Sequence, residues 1–394
     1  MSWGQGIERK PLSMNSNKSV LSRLFAQGEF PEDAFYIRKA FQDRKIIVYG
    51  AGESFHYFKE VAVRQYGYTP FAVLDRKFHE GDVFENVSVF SPLEYQPSDD
   101  EKQNSLVVVC LGKQSYFEEV VQTLRKMGFQ RIISLMDIYE IHNPFCMPKE
   151  LEDTGFQYYL SRQEQIESCL DIFADDESRE VYLCCLQTHL QRKPVSIPMR
   201  DRNEQYTPED IHLSQGYSRF IYCGVSVGEM ARVLDKAGKA DELVCFEPDP
   251  KQFTLTAEYL SEHRGQIAHR VTAIPCAVYS HETIEPFTYS DTSFGSRILP
   301  SGKARIQCVS IDHVLPDFHP TFINMDIEGA EPEALRGAEG TIRASRPDLA
   351  VCVYHAPNHL WEIPFYLHSL GLGYHLYLRN YTSFTGETVL YATT

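Results

Sequence analysis

Long apolar runs and an excess of basic residues are both missing from this sequence of 394 residues. No apolar run approaches the roughly 20 residues that a membrane-spanning helix needs, and the most apolar stretch, Leu106 to Leu111, has the length of a strand. Lys and Arg total 38 against 54 Asp and Glu, which gives a net charge of −16. A surface this acidic repels phosphate backbones and anionic lipids, which argues against binding to nucleic acids or membrane surfaces.

Signals for export and for zinc binding are missing as well. The N-terminal residues, beginning Met1-Ser2-Trp3-Gly4, lack the apolar core of a signal peptide. The ten cysteines show no zinc-like pairing, and most lie inside apolar runs, as Cys223 does. Such cysteines are typical of reduced core residues. We therefore expect a soluble, cytoplasmic protein and assign no metal site.

The sequence does have the composition of a globular protein with several domains. Apolar residues make up 43% and charged residues 23%, close to the average for folded proteins, and the length predicts two or three domains. Prolines and changes of pattern divide the chain into a helical leader at 1–44, a Rossmann-like domain at 45–148, a helical linker at 149–215 and a second α/β domain at 216–394. Within the leader we expect a helix over Val20 to Phe41.

Strands alternate with helices in both larger domains, which predicts two Rossmann-like parallel sheets in tandem. In the second domain we predict strands at Phe220–Cys223, Leu243–Phe246, Ala268–Ala273, Phe322–Met325, Leu349–Tyr354, Tyr374–Leu378 and Thr388–Tyr391. Its predicted helices are Gly228–Ala237, Gln252–His263, Pro332–Ala344 and Leu360–Leu370. The segment Arg379 to Glu387 is too short for a crossover helix, so the final strand is predicted to be antiparallel.

Two strand ends of the second domain carry features of a ligand site, because open α/β sheets bind ligands beyond the carboxyl ends of their strands. The first strand runs into Gly224 and Gly228, four residues apart, at the start of a helix. Such a turn brings backbone amides close to a ligand, although tight packing alone also explains it. The second strand ends at Glu247, which can accept both hydroxyls of a ribose or can cap the next helix. With the glycine turn upstream, we favour ribose binding.

The acidic residues after the fourth strand are candidates for chemistry. Asp326 and Glu328 are two residues apart, so their side chains share a face while the strand persists. They can deprotonate a hydroxyl, hold a cation or orient a cofactor, or Glu328 and Glu331 can simply lie at the positive end of the following helix. His355 ends the fifth strand, where an imidazole can relay a proton or be purely structural.

These motifs together resemble the FkbM family of methyltransferases from about Glu204 to Tyr391. The matching residues are Gln205-Tyr206, the glycine turn, Phe246-Glu247-Pro248-Asp249, Ala277-Val278, Thr292-Ser293-Phe294-Gly295-Ser296, the run Asn324 to Glu331, Leu335-Arg336-Gly337-Ala338, Arg346-Pro347 and Tyr354-His355. A final antiparallel strand is likewise a feature of S-adenosylmethionine-dependent methyltransferase sheets.

The resemblance implies transfer of a methyl group from S-adenosylmethionine to an oxygen, commonly a hydroxyl of a sugar, polyketide or lipid-linked glycan. It implies that the cofactor-binding residues are Tyr206, Cys223, Gly224, Ser226, Gly228, Glu247, Pro248, Asp249, Ala277 and Asp326. For catalysis we assign Asp326 first as the base, then His355, with Glu328 as a further candidate. The loop Thr292 to Pro300 could close over the acceptor, and homo-oligomerisation stays open.

The sequence departs from the family at two positions. Tyr222 stands where family members usually have an aspartate that helps to hold the amino group of the cofactor, and Asn324 stands where they commonly have a lysine. Tyrosine is neutral near pH 7 and cannot supply the missing charge. The alternative to an O-methyltransferase is therefore a binding protein that kept the fold and lost turnover.

The N-terminal domain carries an incomplete dinucleotide motif. Gly50-Ala51-Gly52 follows the first strand, but Phe55 occupies the third glycine position, and Asp75 ends the next strand. The domain resembles the small Rossmann-type domains at the N-terminus of sugar acyltransferases. This resemblance implies a nucleotide site, while a packing or oligomerisation domain with a vestigial turn fits the residues at least as well. The incomplete motif argues against a nicotinamide-dependent enzyme.

Overall fold

The computed structural model describes residues 14–26, 43–59, 62–63, 67–79, 82–84, 87–142, 156–290, 295–382 and 385–394. Most of the predicted leader lies outside these ranges. The helix described in this region is α1, Met14–Ala26, which begins six residues before the predicted start at Val20. The rest of the predicted helix, residues 27–41, lies outside the described residues. No helix in the described ranges is both long and apolar enough to cross a membrane.

The N-terminal domain is a six-stranded sheet with the order β3-β4-β2-β1-β5-β6. Its strands are β1 Lys45–Tyr49, β2 Ala72–Leu74, β3 Val83–Phe84, β4 Val87–Phe90, β5 Ser105–Val109 and β6 Arg131–Ser134. All pairs are parallel except β3 with β4. The helices are α2 Glu53–Phe58, α3 Asp99–Asn104, α4 Gln114–Lys126 and α5 Leu135–His142. Separate apolar clusters form around alternate side chains of β1, so both faces of the sheet are covered.

Four helical segments follow. They are α6 Phe156–Leu160, α7 Gln163–Ser168, a 3₁₀ turn at Cys169–Asp171 and α8 Asp176–Gln191. Their apolar side chains, such as Leu170 and Leu186, belong to the same buried cluster as Val351 of the C-terminal sheet. Arg379 of that sheet is 2% exposed and donates to Asp175 beside α8 at 2.6 Å. The linker predicted at 149–215 thus shares a core with the C-terminal domain.

The C-terminal domain is built on a seven-stranded sheet with the order β16-β17-β15-β14-β7-β8-β9. The strands are β7 Arg219–Cys223, β8 Ala240–Phe246, β9 Ala268–Ile274, β14 Phe322–Met325, β15 Asp348–Cys352, β16 His375–Asn380 and β17 Thr388–Thr393. Strand β17 is antiparallel to both of its neighbours, as predicted. Strands β7, β8 and β9 follow one another toward one edge of the sheet, and β14 and β15 follow one another toward the other edge. The strand order therefore reverses between β7 and β14.

Between β9 and β14 the chain forms a second sheet that the sequence analysis did not predict. Its strands are β10 Ala277–Val278, β11 Thr283–Thr288, β12 Arg297–Ile298 and β13 Ala304–Val309, in the order β10-β13-β11-β12. This sheet has its own small apolar core, which includes Phe287 and Cys308. It also supplies side chains to the cleft described below.

The helices of the C-terminal domain are α9 Val227–Ala237, α10 Pro250–Glu262, α11 Ile311–Val314, α12 Glu331–Arg336, α13 Glu339–Ser345 and α14 His359–Ser369. The helix predicted over Pro332 to Ala344 is two helices, α12 and α13, which meet at Gly337. A Cβ atom at Gly337 would lie 1.9 Å from the carbonyl oxygen of Tyr279. This close approach of two backbones interrupts the helix and requires glycine.

Candidate active site

A cleft of about 870 Å³, measured with its open mouth, lies at the carboxyl ends of β7 and β14, where the strand order reverses. It is lined from three directions: by the turns after β7, β8 and β14, by the second sheet, and by residues near the C-terminal hairpin. Of the predicted site residues, the cleft is lined by Gly224, Ser226, Glu247, Pro248, Asp249, Ala277, Asp326 and Glu328.

The turn after β7 depends on glycine at its first position. Gly224 has a φ of +81°, and a Cβ atom there would lie 1.8 Å from the carbonyl oxygen of Asp326. Gly228 differs, because nothing lies within 4 Å of its Cβ position, and it does not line the cleft. Close backbone packing therefore requires glycine at position 224, whereas no contact within the protein requires glycine at position 228.

Glu247 faces this turn from the end of β8. Its Oε2 accepts a hydrogen bond from the amide of Val225 at 2.9 Å, and its Oε1 accepts from the amide of Asp249 at 2.8 Å. Burial raises the pKa of Glu247 to about 7 in spite of these two bonds. The carboxylate thus lies within the cleft at the position predicted for ribose binding, with lone pairs left to accept hydroxyl hydrogen bonds.

The predicted closing loop crosses the cleft. Its first residues, 292–294, lie outside the described residues, but Ser296 donates to Oδ2 of Asp249 at 2.7 Å. The amide of Gly295 donates to Oε1 of Glu328 at 2.8 Å, and Arg297 lies 3.4 Å from the same carboxylate. The loop therefore bridges the β8 and β14 sides of the cleft.

Asp326 follows β14 directly and lines the cleft. Tyr206 is fully buried, does not line the cleft, and donates its hydroxyl to Oδ2 of Asp326 at 2.7 Å. Tyr354 donates to Oδ1 at 3.3 Å. Burial and the neighbouring carboxylates raise the pKa of Asp326 to about 8, although His355 opposes the shift. A carboxylate with such a pKa can exchange a proton near neutrality.

His355 lies behind Asp326 and is 5% exposed, so it does not line the cleft itself. Its Nε2 is 3.4 Å from Oδ1 of Asp326, and its Nδ1 is 2.9 Å from Oε1 of Glu331. Burial alone would lower the pKa of His355, but Glu331 and the other carboxylates outweigh burial and raise the pKa to about 9. The imidazole thus stands between two carboxylates, one on each ring nitrogen.

Glu331 is the member of this arrangement that sequence reasoning missed as a site residue. It is fully buried, and its Oε1 accepts from the amide of Ile327 at 2.9 Å. Burial would raise its pKa, but His355 and His359 outweigh burial and lower the pKa to about 2. Left-handed backbone at Glu328, with a φ of 56°, and at Gly329 turns the chain so that Glu331 faces the imidazole.

Asp326, Glu331 and His355 each offer a ligand atom within 4.8 Å of the others, a spacing that a metal ion could use. No metal was assigned from the sequence. The two carboxylates approach different ring nitrogens of His355, whereas a metal ligand would bind through one. The imidazole therefore bridges the two carboxylates, and its role in proton transfer stays a prediction.

The two departures from the family pattern are neighbours. Tyr222 and Asn324 pair across β7 and β14, and both are fully buried. The hydroxyl of Tyr222 donates to Oε1 of Glu229 at 2.7 Å, and Glu229 lines the cleft while Tyr222 does not. Cys223 does not line the cleft either, since its side chain is fully buried in the core on the other face of β7.

The glycine turn of the N-terminal domain is occupied by the protein's own groups. Oδ2 of Asp75 accepts from the amide of Ala51 at 2.8 Å, and Oδ1 accepts from the amide of Lys77 at 3.1 Å. The Lys77 ammonium donates to the carbonyl of Ala51 at 2.8 Å. Asp75 therefore holds this turn together, and its role toward a nucleotide stays a prediction.

Comparison with known proteins supports the reading of the C-terminal domain. Residues 223–381 match the model of the methyltransferase FkbM domain. The crystal structure of methyltransferase FkbM from Methylobacillus flagellatus KT superposes with a TM-score of 0.71 and 20% sequence identity, covering 97% of this chain and 100% of that one. At this identity the superposition shows the fold. A search of curated proteins gave no match. The resemblance to the FkbM family is confirmed, whereas the resemblance of the N-terminal domain to acyltransferase domains stays a prediction.

Proposed function

We propose that this protein is an S-adenosylmethionine-dependent O-methyltransferase acting on a hydroxyl of a sugar or a related small-molecule or glycan acceptor, a proposal supported by the match of residues 223–381 to the model of the methyltransferase FkbM domain. One observation carries the proposal: a single cleft is lined by the Gly224 turn, by Glu247 and by Asp326, which His355 contacts from behind. The proposed sites of cofactor binding and of proton removal are therefore adjacent in one cleft.

The residues of the cleft fit the proposed cofactor. The packing of Gly224 against Asp326 opens the turn toward the cleft, and Gly228 leaves space in the first turn of α9. Ser226 precedes that helix, and its side chain makes no capping hydrogen bond. Glu247 offers a carboxylate that can accept hydrogen bonds from the ribose hydroxyls. Gly224, Ser226 and Glu247, which line the cleft, would hold the adenosyl group, with Pro248, Asp249 and Ala277 forming the wall beside it.

When bound, S-adenosylmethionine supplies a methyl group that its sulfonium already activates. The protein must then orient the acceptor hydroxyl and remove its proton. Asp326 is assigned as the base because it lines the cleft, has its carboxylate oriented by Tyr206, and has a pKa of about 8. Behind it, the protonated His355 ring faces Asp326 at 3.4 Å and stabilises its carboxylate form, and Glu331 fixes the imidazole ring.

The charge of the cleft favours an uncharged acceptor. Among the lining residues that the structure describes, six carry carboxylates and one, Arg297, carries a positive charge. That arginine lies 3.4 Å from Glu328. Phosphorylated acceptors would meet unfavourable charge at close range, whereas a neutral sugar hydroxyl would not.

Methyl transfer from isotopically labelled S-adenosylmethionine tests the proposal. The full chain is incubated with neutral sugars and glycosides and, in parallel, with the phosphate esters of the same sugars. We expect label in at least one neutral hydroxyl acceptor and less in its phosphorylated counterpart. Label that appears on nitrogen, or no transfer to any hydroxyl, would contradict the assignment.

A second candidate function is a binding protein of the same fold without turnover. The observation that favours it is Tyr222, which leaves β7 without a carboxylate at the edge of the cleft. The two candidates differ in one experiment: a binding protein retains labelled S-adenosylmethionine on gel filtration and releases no S-adenosylhomocysteine with any acceptor.

A further inference from the structure

The carboxylate that β7 lacks is supplied to the same cleft by another element. Glu229 lies in the first turn of α9, seven residues after Tyr222. The Tyr222 hydroxyl donates to Oε1 of Glu229 at 2.7 Å. The tyrosine ring is itself locked, because it is fully buried and packs edge-on against the ring of Tyr206 at 6.5 Å. Tyr222 therefore fixes the direction of a cleft-lining carboxylate.

A second carboxylate borders the same part of the cleft. Glu387 precedes β17 with a φ of 56°, a left-handed conformation that non-glycine residues adopt rarely. The side-chain amide nitrogen Nε2 of Gln205 donates to Oε2 of Glu387 at 2.6 Å. Glu387 and Glu229 both line the cleft and interact electrostatically. A strained backbone and a dedicated amide donor thus hold this carboxylate in place.

Glu387 has one ion pair, with Arg202 at 3.5 Å, and Arg202 does not line the cleft. Among the described lining residues the one basic side chain, Arg297, lies beside Glu328 and not beside Glu229. Arg232 and Arg202 lower the pKa of Glu229, but burial outweighs them and raises it. Like charges in a buried site are unfavourable without a counterion. The arrangement is suited to a ligand that brings positive charge with it.

We propose that Glu229, oriented by Tyr222 and flanked by Glu387, binds the α-ammonium group of a nucleoside that carries an amino acid, namely the cofactor of the proposed reaction. This inference rests on the proposed function and adds to it the residue that recognises the amino-acid end. It also gives Tyr222 a role: the residue at this position orients a carboxylate rather than providing one.

Two ligands that differ in the amino-acid end test the assignment. S-adenosylhomocysteine has the α-ammonium group, and 5′-methylthioadenosine has the same nucleoside without it. Each is titrated calorimetrically into the full chain and into E229Q, which removes the charge and keeps the side-chain shape. A charged hydrogen bond of this kind is worth about tenfold to a hundredfold in affinity. We expect a loss of that size for S-adenosylhomocysteine and less than about twofold for 5′-methylthioadenosine.

Three further variants complete the design. E258Q removes a charge from an exposed position of α10 outside the cleft, so it should change neither affinity. Y222F deletes only the hydroxyl that orients Glu229, and should weaken S-adenosylhomocysteine binding severalfold without affecting the other ligand. Y222D/E229Q moves the carboxylate to β7 and should recover part of the affinity that E229Q loses. Thermal melting of each variant reports whether it is folded.

The outcomes separate this inference from the proposed function. Selective loss of S-adenosylhomocysteine binding in folded E229Q supports the inference. If the unaltered protein binds both ligands and E229Q weakens both equally or neither, Glu229 does not bind the ammonium group and the proposed function stands. If the unaltered protein binds neither ligand, the proposed function fails and the inference fails with it.

Discussion

The Nδ1 atom of His355 lies 2.9 Å from Oε1 of Glu331, a carboxylate with no exposed surface. The other ring nitrogen faces Asp326 at 3.4 Å. Both contacts couple the protonation of a buried imidazole to the base that we assign in the cleft. The pair therefore has consequences for stability as well as for activity.

Stability should depend on pH through this pair. The folded pKa of His355, about 9, lies above the usual histidine pKa of 6.5, so its contribution to stability is complete below about pH 6.5 and disappears as the pH rises through 9. The folded pKa of Glu331, about 2, lies below 4.5, so its contribution is present above about pH 4.5 and is lost as the pH falls toward 2. Urea denaturation across this range should show the free energy of unfolding declining on both sides of about pH 4.5 to 6.5.

E331Q tests the origin of that dependence. Removal of the charge should lower the pKa of His355 by more than about one unit, measured from its imidazole resonance by NMR. E258Q, at an exposed position, serves as the control and should leave that resonance unchanged. A His355 pKa that stays near 9 in E331Q would show that Glu331 is not the partner that raises it.

D326N should abolish proton removal and retain the cofactor site. We expect methyl transfer to fall by about 10²–10⁴-fold, the usual contribution of a general base, while affinity for S-adenosylhomocysteine changes little. Y354F, which removes a weaker 3.3 Å donor to the same carboxylate, should reduce transfer far less. A D326N protein with nearly full transfer would shift the role of base elsewhere.

The two glycines of the turn after β7 should respond differently to alanine. G224A places a Cβ atom 1.8 Å from a backbone oxygen in a left-handed conformation, so we expect loss of folded protein in circular dichroism. G228A meets no protein atom and should melt at or above the original temperature. If G228A also loses affinity for S-adenosylhomocysteine, a ligand occupies the space that Gly228 leaves.

Arg379 should be essential for joining α8 to the C-terminal sheet. It is 2% exposed and contacts Asp175 at 2.6 Å and Asp210 at 2.7 Å. R379M removes the guanidinium from two partly exposed carboxylates, of which Asp210 keeps Arg200 at 3.0 Å, so unfolding free energy should fall by about 1–3 kcal/mol in urea titrations. R270M, which removes an exposed ion pair with Glu242, is the matched control and should unfold like the unaltered chain. Equal stabilities would contradict a joining role for Arg379.

The long apolar strands were predictable from sequence, and so was the direction of β17, because nine residues between Arg379 and Glu387 cannot hold a crossover helix. The shortest strands were not. Val83–Phe84 and Ala277–Val278 have two residues each, too few to show a period. The split between α12 and α13 depends on a contact between Gly337 and Tyr279, which no local pattern reveals.

The site was predictable to the extent that it follows from strand ends. Glu247 and Asp326 follow β8 and β14, the two parallel strands that flank β7, so their convergence on one cleft follows from topology. The contact of His355 with Glu331 depends on the left-handed turn at Glu328, and the contact of Tyr222 with Glu229 depends on the start of α9. Both arise from three-dimensional geometry rather than spacing along the chain.

Calorimetric titration of the full chain with S-adenosylhomocysteine tests the central claim most directly. The account predicts saturable binding with one molecule per chain, since the Gly224 turn and Glu247 form one cleft. No heat of binding at millimolar ligand would contradict it, and only the fold of the domain would then remain established.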